Sequence, residues 1–265
     1  MSDSNADLEI WNAIADHWDK QVGEGSDFQK HLVIPATDRL LDVRPGQRVL
    51  DCCCGNGNYA RKLFAATGSA PGAEVVAFDG SSRMIELCRE KPGSELIEYH
   101  VADATDEAAI LEVAAGRVFD RVVCTMAMMD LPTIEPLLRA VRAVIRPHAP
   151  FVFSIGHPSF HTNEAQMLAV QDHGQGDANQ DFSVIVKRYL TAWPHWSRGL
   201  LDQPRAHMLY HRSLSDILRT CFLCGFVIDG LEEPAFDPDT RLRSPFSWAR
   251  RPEIPPVMVV RLRLA

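Results

Sequence analysis

The chain has 265 residues, 46% of them hydrophobic and 23% charged, and its 35 acidic against 27 basic residues leave a formal charge of −8. With that acidic balance no basic stripe is evident that could displace the counterions of a nucleic acid, so a nucleic-acid partner is disfavoured. No apolar run reaches the length that crosses a bilayer, and the opening MSDSNADLEIW lacks the basic-then-apolar order of a secretory signal. The expectation is a cytoplasmic protein with no membrane partner and with its seven cysteines reduced.

Taken in chain order, Leu8, Trp11, Ala15, Trp18 and Val22 fall at helical spacing. HLVIPATDRLLDV predicts a second helix with Pro35 in its first turn, where a missing N–H costs nothing. A turn at Arg44–Gly46 leads into QRVLDCCC, a short buried strand broken by GNGN, and YARKLFAAT leaves that turn as a helix. The alternation repeats through AEVVAFD and SSRMIELCRE, ELIEYHVAD and TDEAAILEVAA, FDRVVCTMAM and IEPLLRAVRAVI, to the strand PFVFSIG. Five such alternations argue for a parallel sheet covered on both faces. The rhythm breaks at His157 and resumes near Ser213 with a helix, SLSDILRTCFLCG, then the strands FVIDGLEE and PPVMVVRLRLA. No helical pattern separates those two, so the last strand is expected to pair antiparallel, giving a seven-stranded α/β sheet with one reversed strand.

An open parallel sheet binds ligands beyond the carboxyl ends of its strands, so the loop after the first strand is the place to look. Gly55-x-Gly57-x-x-Ala60 satisfies the relaxed dinucleotide fingerprint, and Asp79 lies at the end of the second strand. Asp51 stands immediately before the loop, a poor neighbour for a pyrophosphate and a good one for a cationic amino group. Asp103 closes the third strand within reach of an adenine amino group. These features suit an adenosine joined to something cationic, with Asp79 accepting both ribose hydroxyl protons.

The motifs VLDCCCGNGNYA, VVAFDGSSRMIE, HVADATD and FDRVVCTMAMMDLP resemble the successive motifs of class I S-adenosylmethionine-dependent methyltransferases. FSIGHPSFH, YHRSLSDIL and CGFVIDGLEEPAF extend the likeness, to a bacterial branch of small-molecule enzymes. The resemblance implies a Rossmann-like sheet of order 3-2-1-4-5-7-6 with strand 7 antiparallel, helices on both faces and a lid insertion. It implies a single domain over 1–265, with 1–43 as an N-terminal helical cap and 157–212 as the lid. It also implies that Asp51, Gly55 and Gly57 hold the methionine moiety of S-adenosyl-L-methionine and that Asp79 binds the ribose. Gly80, Ser81 and Met84 would line the adenine side, Asp103 and Ala104 would contact the ring, and Cys124, Thr125 and Met126 would lie beside the sulfonium. Two glycines of the family's loop are replaced, by Cys53 and Asn58, and a Cβ at Cys53 disfavours the positive φ that glycine allows. The turn RPHAP (Arg146–Pro150) also replaces the family's Pro-Gly-Gly.

The implied reaction moves a methyl group to an oxygen or nitrogen of a small molecule by in-line displacement, with S-adenosyl-L-homocysteine as product. Aligning the acceptor supplies much of the rate, and a base helps where the acceptor carries a proton. His157, directly after the fifth strand, is the first candidate base and equally a histidine fixing its turn. His211 is the second, or else an anchor for the end of the lid. Asp130 either binds the acceptor or caps the following helix. Trp18 either closes over the cofactor or staples the first helix to the sheet. Met126, Met128 and Met129 either surround an apolar substrate or fill core, and Glu232 and Glu233 are read as a solvated pair. The lid holds six of the ten histidines and is expected to be a small hairpin pairing FSVIVKRYLTA with PRAHMLYHR.

No metal is expected. Cys52, Cys53 and Cys54 alternate along a strand end and so cannot chelate one ion together. Cys221-x-x-Cys224 sits in a helical pattern with no second pair nearby. His207 and His211 lie four apart in an extended pattern, where a shared helical face is not assured. The rival functions are a nicotinamide-dependent oxidoreductase, opposed by Asp51 and VADAT, and a catalytically silent module that senses the cofactor.

Overall fold

The computed structural model describes residues 4–68, 70–162, 164–171, 180–200, 202–237, 239–240 and 247–265. Helix α1 (Ser4–Val22) is followed by a single π-helical turn at Gln29–Val33 that runs straight into α2 (Ile34–Leu41), with Pro35 in its first turn. Five strand–helix units then alternate. They are β1 (Arg48–Cys52) and α3 (Asn58–Thr67), β2 (Glu74–Asp79) and α4 (Ser82–Glu90), and β3 (Glu98–Val101) and α5 (Glu107–Ala114). The series ends with β4 (Arg121–Thr125), α6 (Glu135–Val144) and β5 (Phe151–Gly156). Four strands outside the main sheet follow, β6 (Gln166–Gln171), β7 (Gln180–Ile185), β8 (Trp193–Ser197) and β9 (His207–His211). The chain then closes with α7 (Leu214–Leu223), β10 (Phe226–Glu232) and β11 (Val257–Leu264).

The main sheet has the order β3-β2-β1-β4-β5-β11-β10. Its first five strands are parallel, and β11 runs antiparallel to both β5 and β10. This is the order and the reversed strand that the sequence motifs implied.

Alternation along the buried strands splits the core in two. Leu50, Cys52, Val76 and Phe78 face one cluster, with α5, α6 and α7, while Val49, Val75 and Ala77 face the other, with α2, α3 and α4. The stripe Leu137, Leu138, Val141 and Val144 of α6 shows the mechanism: i, i+1, i+4 and i+7 spacing puts all four on the buried side. Cys221 and Cys224 lie in the first cluster, buried among apolar side chains, which is the packing role read for them.

Two expectations need correction. The strand β1 stops at Cys52, because Cys53 takes φ +55° and turns the chain. Cys52 and Cys54 therefore pack into opposite clusters. The lid is two hairpins: β7 pairs with β6, and β9 pairs with β8. Each partner, β6 and β8, comes from a segment with no clear alternation in sequence, so the pairing is set by packing and not by local pattern. The segment RLRSPFSWARRPE (241–253), a local run of basic residues, lies partly outside the described residues. Among the described residues, no helix is long and apolar enough to cross a membrane.

Candidate active site

The strand order reverses between β1 and β4, and a cleft of about 1250 Å³ opens there, beyond the carboxyl ends of the strands. Its floor is the β1–α3 loop, in which Cys53, Gly55 and Gly57 all have positive φ, at +55°, +54° and +71°. Only Gly57 is sterically obligatory: a Cβ there would stand 2.7 Å from the Tyr99 hydroxyl oxygen and 2.9 Å from the Cys88 Sγ. Cys53 takes the same left-handed conformation while carrying a side chain, a strained choice for a non-glycine residue. Burial pushes the thiols of Cys52, Cys53 and Cys54 well up, and in Cys53 and Cys54 a thiol hydrogen bond, to Cys124 and Cys88 respectively, contributes first. They are packing thiols, far from the thiolate form that nucleophiles and metal ligands need.

Asp79 organises the loop. Its Oδ2 accepts from the Gly55 N–H at 2.9 Å and its Oδ1 from the Ser81 N–H at 2.9 Å, so one carboxylate fixes the loop and the start of α4. Burial raises its pKa, and the two N–H donors pull against that rise. Ser81 is spent on the fold: it caps α4 by accepting from Met84 N–H at 3.1 Å, and no part of it is exposed. Asp103 lines the cleft and accepts from both the N–H and the hydroxyl of Thr105 at 2.8 Å. Asp51 is fully buried behind the loop, outside the cleft wall, and neither of its carboxylate oxygens has a hydrogen-bond partner. Burial first, and then the Asp79 charge, pushes its pKa well up. A carboxylate so placed requires a compensating charge or water.

The opposite wall is α1, which lays Asp7, Leu8, Trp11, Trp18 and Asp19 along the cleft. Asn12 Oδ1 accepts from the Ser81 hydroxyl at 2.8 Å and from the Arg83 N–H at 3.2 Å, clamping α1 to the start of α4. Asn56 donates to Asp19 Oδ1 and to Gly23 O, each at 3.0 Å, clamping its far end to the loop. The close approach explains Gly80, where a Cβ would lie 2.4 Å from Leu8 Cδ2. Trp18 serves both readings, lining the cleft while packing edge-on against Trp11 at 5.2 Å between ring centroids.

The cleft thus gathers Trp18, Cys53, Gly55, Asn58, Asp79, Gly80, Met84, Asp103, Ala104, Thr125, Met126 and Asp130 from the sequence reading. It leaves Asp51, Gly57, Ser81 and Cys124 behind the wall, where they shape it. Not read from the sequence were Asp7, Asp19, Asn56 and Thr105, polar residues on α1 and the loops; their only signal was a helix N-terminal to the first motif. Five carboxylates, of Asp7, Asp19, Asp79, Asp103 and Asp130, face this space, and no Lys, Arg or His lines it among the described residues. Such a field favours a cationic ligand and repels a pyrophosphate.

The proposed bases fare differently. His157 is 4% exposed, its Nδ1 accepts from Ser159 N–H at 3.1 Å, and its Nε2 lies 2.8 Å from Glu233 Oε1. Both nitrogens are engaged and the ring lines neither main cavity, so the turn-fixing role is the one the geometry supplies. Glu233 is correspondingly a partner of His157, and Glu232 an ion-pair partner of Arg39 at 2.5 Å; neither belongs to a merely solvated pair. His211 donates from Nε2 to Tyr189 O at 2.8 Å, anchoring the lid, and also faces a second cavity. Asp130 caps no helix, since α6 begins at Glu135 after Ile134. It lines the cleft, with Oδ1 buried and 3.6 Å from His207 Nε2, beyond hydrogen-bond range. Burial pushes Asp130 up and His207 down to about 4, both toward their uncharged forms.

Residues 49–148 match the family described as Methyltransferase domain. That stretch carries β1 to β4 and the loop at the cleft floor, so this part of the chain is similar to methyltransferase domains, and the sheet order is the one its motifs implied. A curated relative, demethylmenaquinone methyltransferase of Bacillus cytotoxicus, is 28% identical over 143 residues, 52% of this chain and 57% of that protein. The matched region thus spans little more than half the length of the curated relatives. Among solved structures, an S-adenosylmethionine-dependent methyltransferase from Mesorhizobium loti aligns with TM-score 0.65 and 22% identity, over 86% of this chain and 96% of that one. The DhpI–SAM–HEP complex aligns with TM-score 0.59 and 18% identity, over 99% of both chains. At these identities the likeness to solved structures is one of fold.

Proposed function

We propose that the chain is an S-adenosyl-L-methionine-dependent methyltransferase that moves a methyl group to an oxygen or nitrogen of a small molecule. The observation that carries this reading is the acidic cleft: five aspartates line it, Asp19 of them paired with Lys91 at 2.7 Å, with no lining Lys, Arg or His among the described residues, and a sixth, Asp51, is orphaned behind the loop. S-adenosyl-L-methionine brings a sulfonium and an ammonium to such a field, and it supplies an activated methyl group when bound. A nicotinamide dinucleotide would bring a pyrophosphate into the same field. The family match over residues 49–148 supports the same conclusion.

Within this reading each residue has a task. Asp79, already held by two backbone N–H groups, keeps the remaining lone pairs of both oxygens for the ribose hydroxyls. Asp103 and Ala104 border the adenine, and Met84 packs beneath it. Gly55 and Asn58 receive the amino-acid portion, and Asp51, which has no exposed surface, stands behind the loop where a bound ammonium would draw its carboxyl toward the charged form. Thr125, at the tip of β4, and Met126 just past it border the sulfur side, and Asp130 lines the same cleft. Trp11 and Trp18 cover the cleft from α1 and exclude water, which strengthens every charge interaction inside. Rate then comes from alignment of the acceptor at near-attack distance.

Isothermal titration with S-adenosyl-L-homocysteine and with NAD tests the cofactor. Tight NAD binding without homocysteine-nucleoside binding would overturn the reading. A labelled-methyl assay over a metabolite extract tests turnover, and a protein that binds but transfers no label is the silent sensor instead.

A further inference from the structure

A second cavity, of about 910 Å³, adjoins the cleft and shares Met126 with it. Met126 has φ +52°, a left-handed conformation for a residue with a long side chain, and its N–H is held by Ser154 O at 2.8 Å. It is the partition between the two spaces. The second chamber is built from the ends of β4 and β5 below and from the β8–β9 hairpin above.

The two chambers are opposite in character. The second has no lining carboxylate among the described residues; it has the guanidinium of Arg212, the imidazoles of His161, His195 and His211, and an apolar wall that includes Met128 and Met129. Arg212 is pinned there, donating to Leu131 O at 2.7 Å and to Pro132 O at 2.8 Å, so its charge is a fixed part of the chamber. His161 and His211 each spend one nitrogen on a backbone carbonyl, Pro256 O at 3.3 Å and Tyr189 O at 2.8 Å. His195 spends neither: both ring nitrogens are buried and have no hydrogen-bond partner. A polar ring left unsatisfied at a chamber wall is a group waiting for a ligand. Burial, and then the neighbouring His211, lowers its pKa against a weaker opposing contact with the Trp193 backbone, which keeps the ring in its neutral form.

We propose that this chamber receives the methyl acceptor, and that the acceptor is a largely apolar molecule presenting a phenol- or enol-type hydroxyl to His195. This rests on the methyltransferase reading and narrows it from oxygen or nitrogen to oxygen. A protonated amine would enter a cationic chamber with no carboxylate to meet it, whereas an ionising hydroxyl gains from the Arg212 field. In the transfer the hydroxyl oxygen forms its bond to the methyl carbon while the carbon–sulfur bond breaks. The hydroxyl proton passes to the His195 imidazole, and the sulfonium leaves as a neutral thioether.

The test uses 2-naphthol as probe, with 2-(aminomethyl)naphthalene as its cationic counterpart. Both are titrated calorimetrically into the full chain, with and without saturating S-adenosyl-L-homocysteine. Saturable 2-naphthol binding at least tenfold tighter than that of the amine is expected. His195→Phe should weaken it about tenfold, the loss of one hydrogen bond. Ser197→Trp, which fills the chamber from β8, should abolish it, and both variants should keep the homocysteine-nucleoside affinity of the wild type within twofold. Amine binding as tight as naphthol binding, or naphthol binding that is absent from the wild type or indifferent to both variants, would overturn the proposal. Failure of the cofactor reading looks different: naphthol binds and responds to both variants, while the homocysteine nucleoside does not bind at all.

Discussion

Replacing Asp79 by Asn tests the cofactor site at its centre. Asp79 accepts one backbone N–H on each oxygen, from Gly55 and from Ser81, at 2.9 Å. Asn has a single oxygen, so its NH₂ group must face one of those donors, and the loop or the α4 start loses its tie. The two ribose hydroxyls lose a charged acceptor at the same time. Hydrogen bonds to charged groups contribute about 1.5–3 kcal/mol each. Losing two, with partial replacement by the remaining oxygen, gives about 3 kcal/mol, or roughly 100-fold in dissociation constant. Folding should suffer much less, because burial already strains the carboxylate and the neutral amide is cheaper to desolvate. Calorimetric titration with S-adenosyl-L-homocysteine, paired with thermal unfolding of the unliganded variant, separates the two effects. A folded Asp79→Asn protein with wild-type affinity would refute the assignment of this pocket.

Three further outcomes are expected. Gly57→Ala should destabilise the fold by about 2–3 kcal/mol, from a left-handed φ and a clash with Tyr99 and Cys88, as read by urea denaturation. At Cys53, φ +55° tolerates Gly and penalises a β-branched side chain, so Cys53→Val should cost about 2 kcal/mol while Cys53→Gly does not; equal stability of the two would refute the strain. His207 has its pKa lowered, first by burial and then by His195, to about 4. The unfolded imidazole titrates higher, so the stability that the neutral ring preserves is fully present above about pH 6.5 and is lost as pH falls toward 4, by roughly 3 kcal/mol in all. Urea midpoints from pH 7.5 to 4.5 should therefore fall more steeply in the wild type than in His207→Gln; parallel curves would contradict the burial.

Much of this protein was legible from local pattern. Period-2 and period-3.6 apolar spacing, punctuated by Gly and Pro, specified the five strand–helix units, because each element buries one face and the sequence must show it. The motif likeness added the strand order and the three acidic strand tips. Asp79, Asp103 and the Gly55 loop sit at the cleft because a parallel sheet delivers every strand's carboxyl end to one edge.

What the local pattern could not contain is which distant segments meet. The loop that turns at Cys53 is held by the Asp79 carboxylate, which accepts the Gly55 N–H from 24 residues away, and the turn sends Cys52 and Cys54 into opposite clusters. The contacts of His157 include Glu233, 76 residues on, which engages the nitrogen a base would use. The acidic wall supplied by α1 and the two-hairpin lid arise from packing and pairing between segments with no mutual sequence signature. Sequence by itself determined the elements, the sheet they build and the edge where a ligand binds, since those follow from short-range periodicity and chain topology. The sorting of charge into an acidic cleft and a basic, imidazole-lined chamber was left to tertiary structure, because electrostatic fields are set by distance in space and not by separation along the chain.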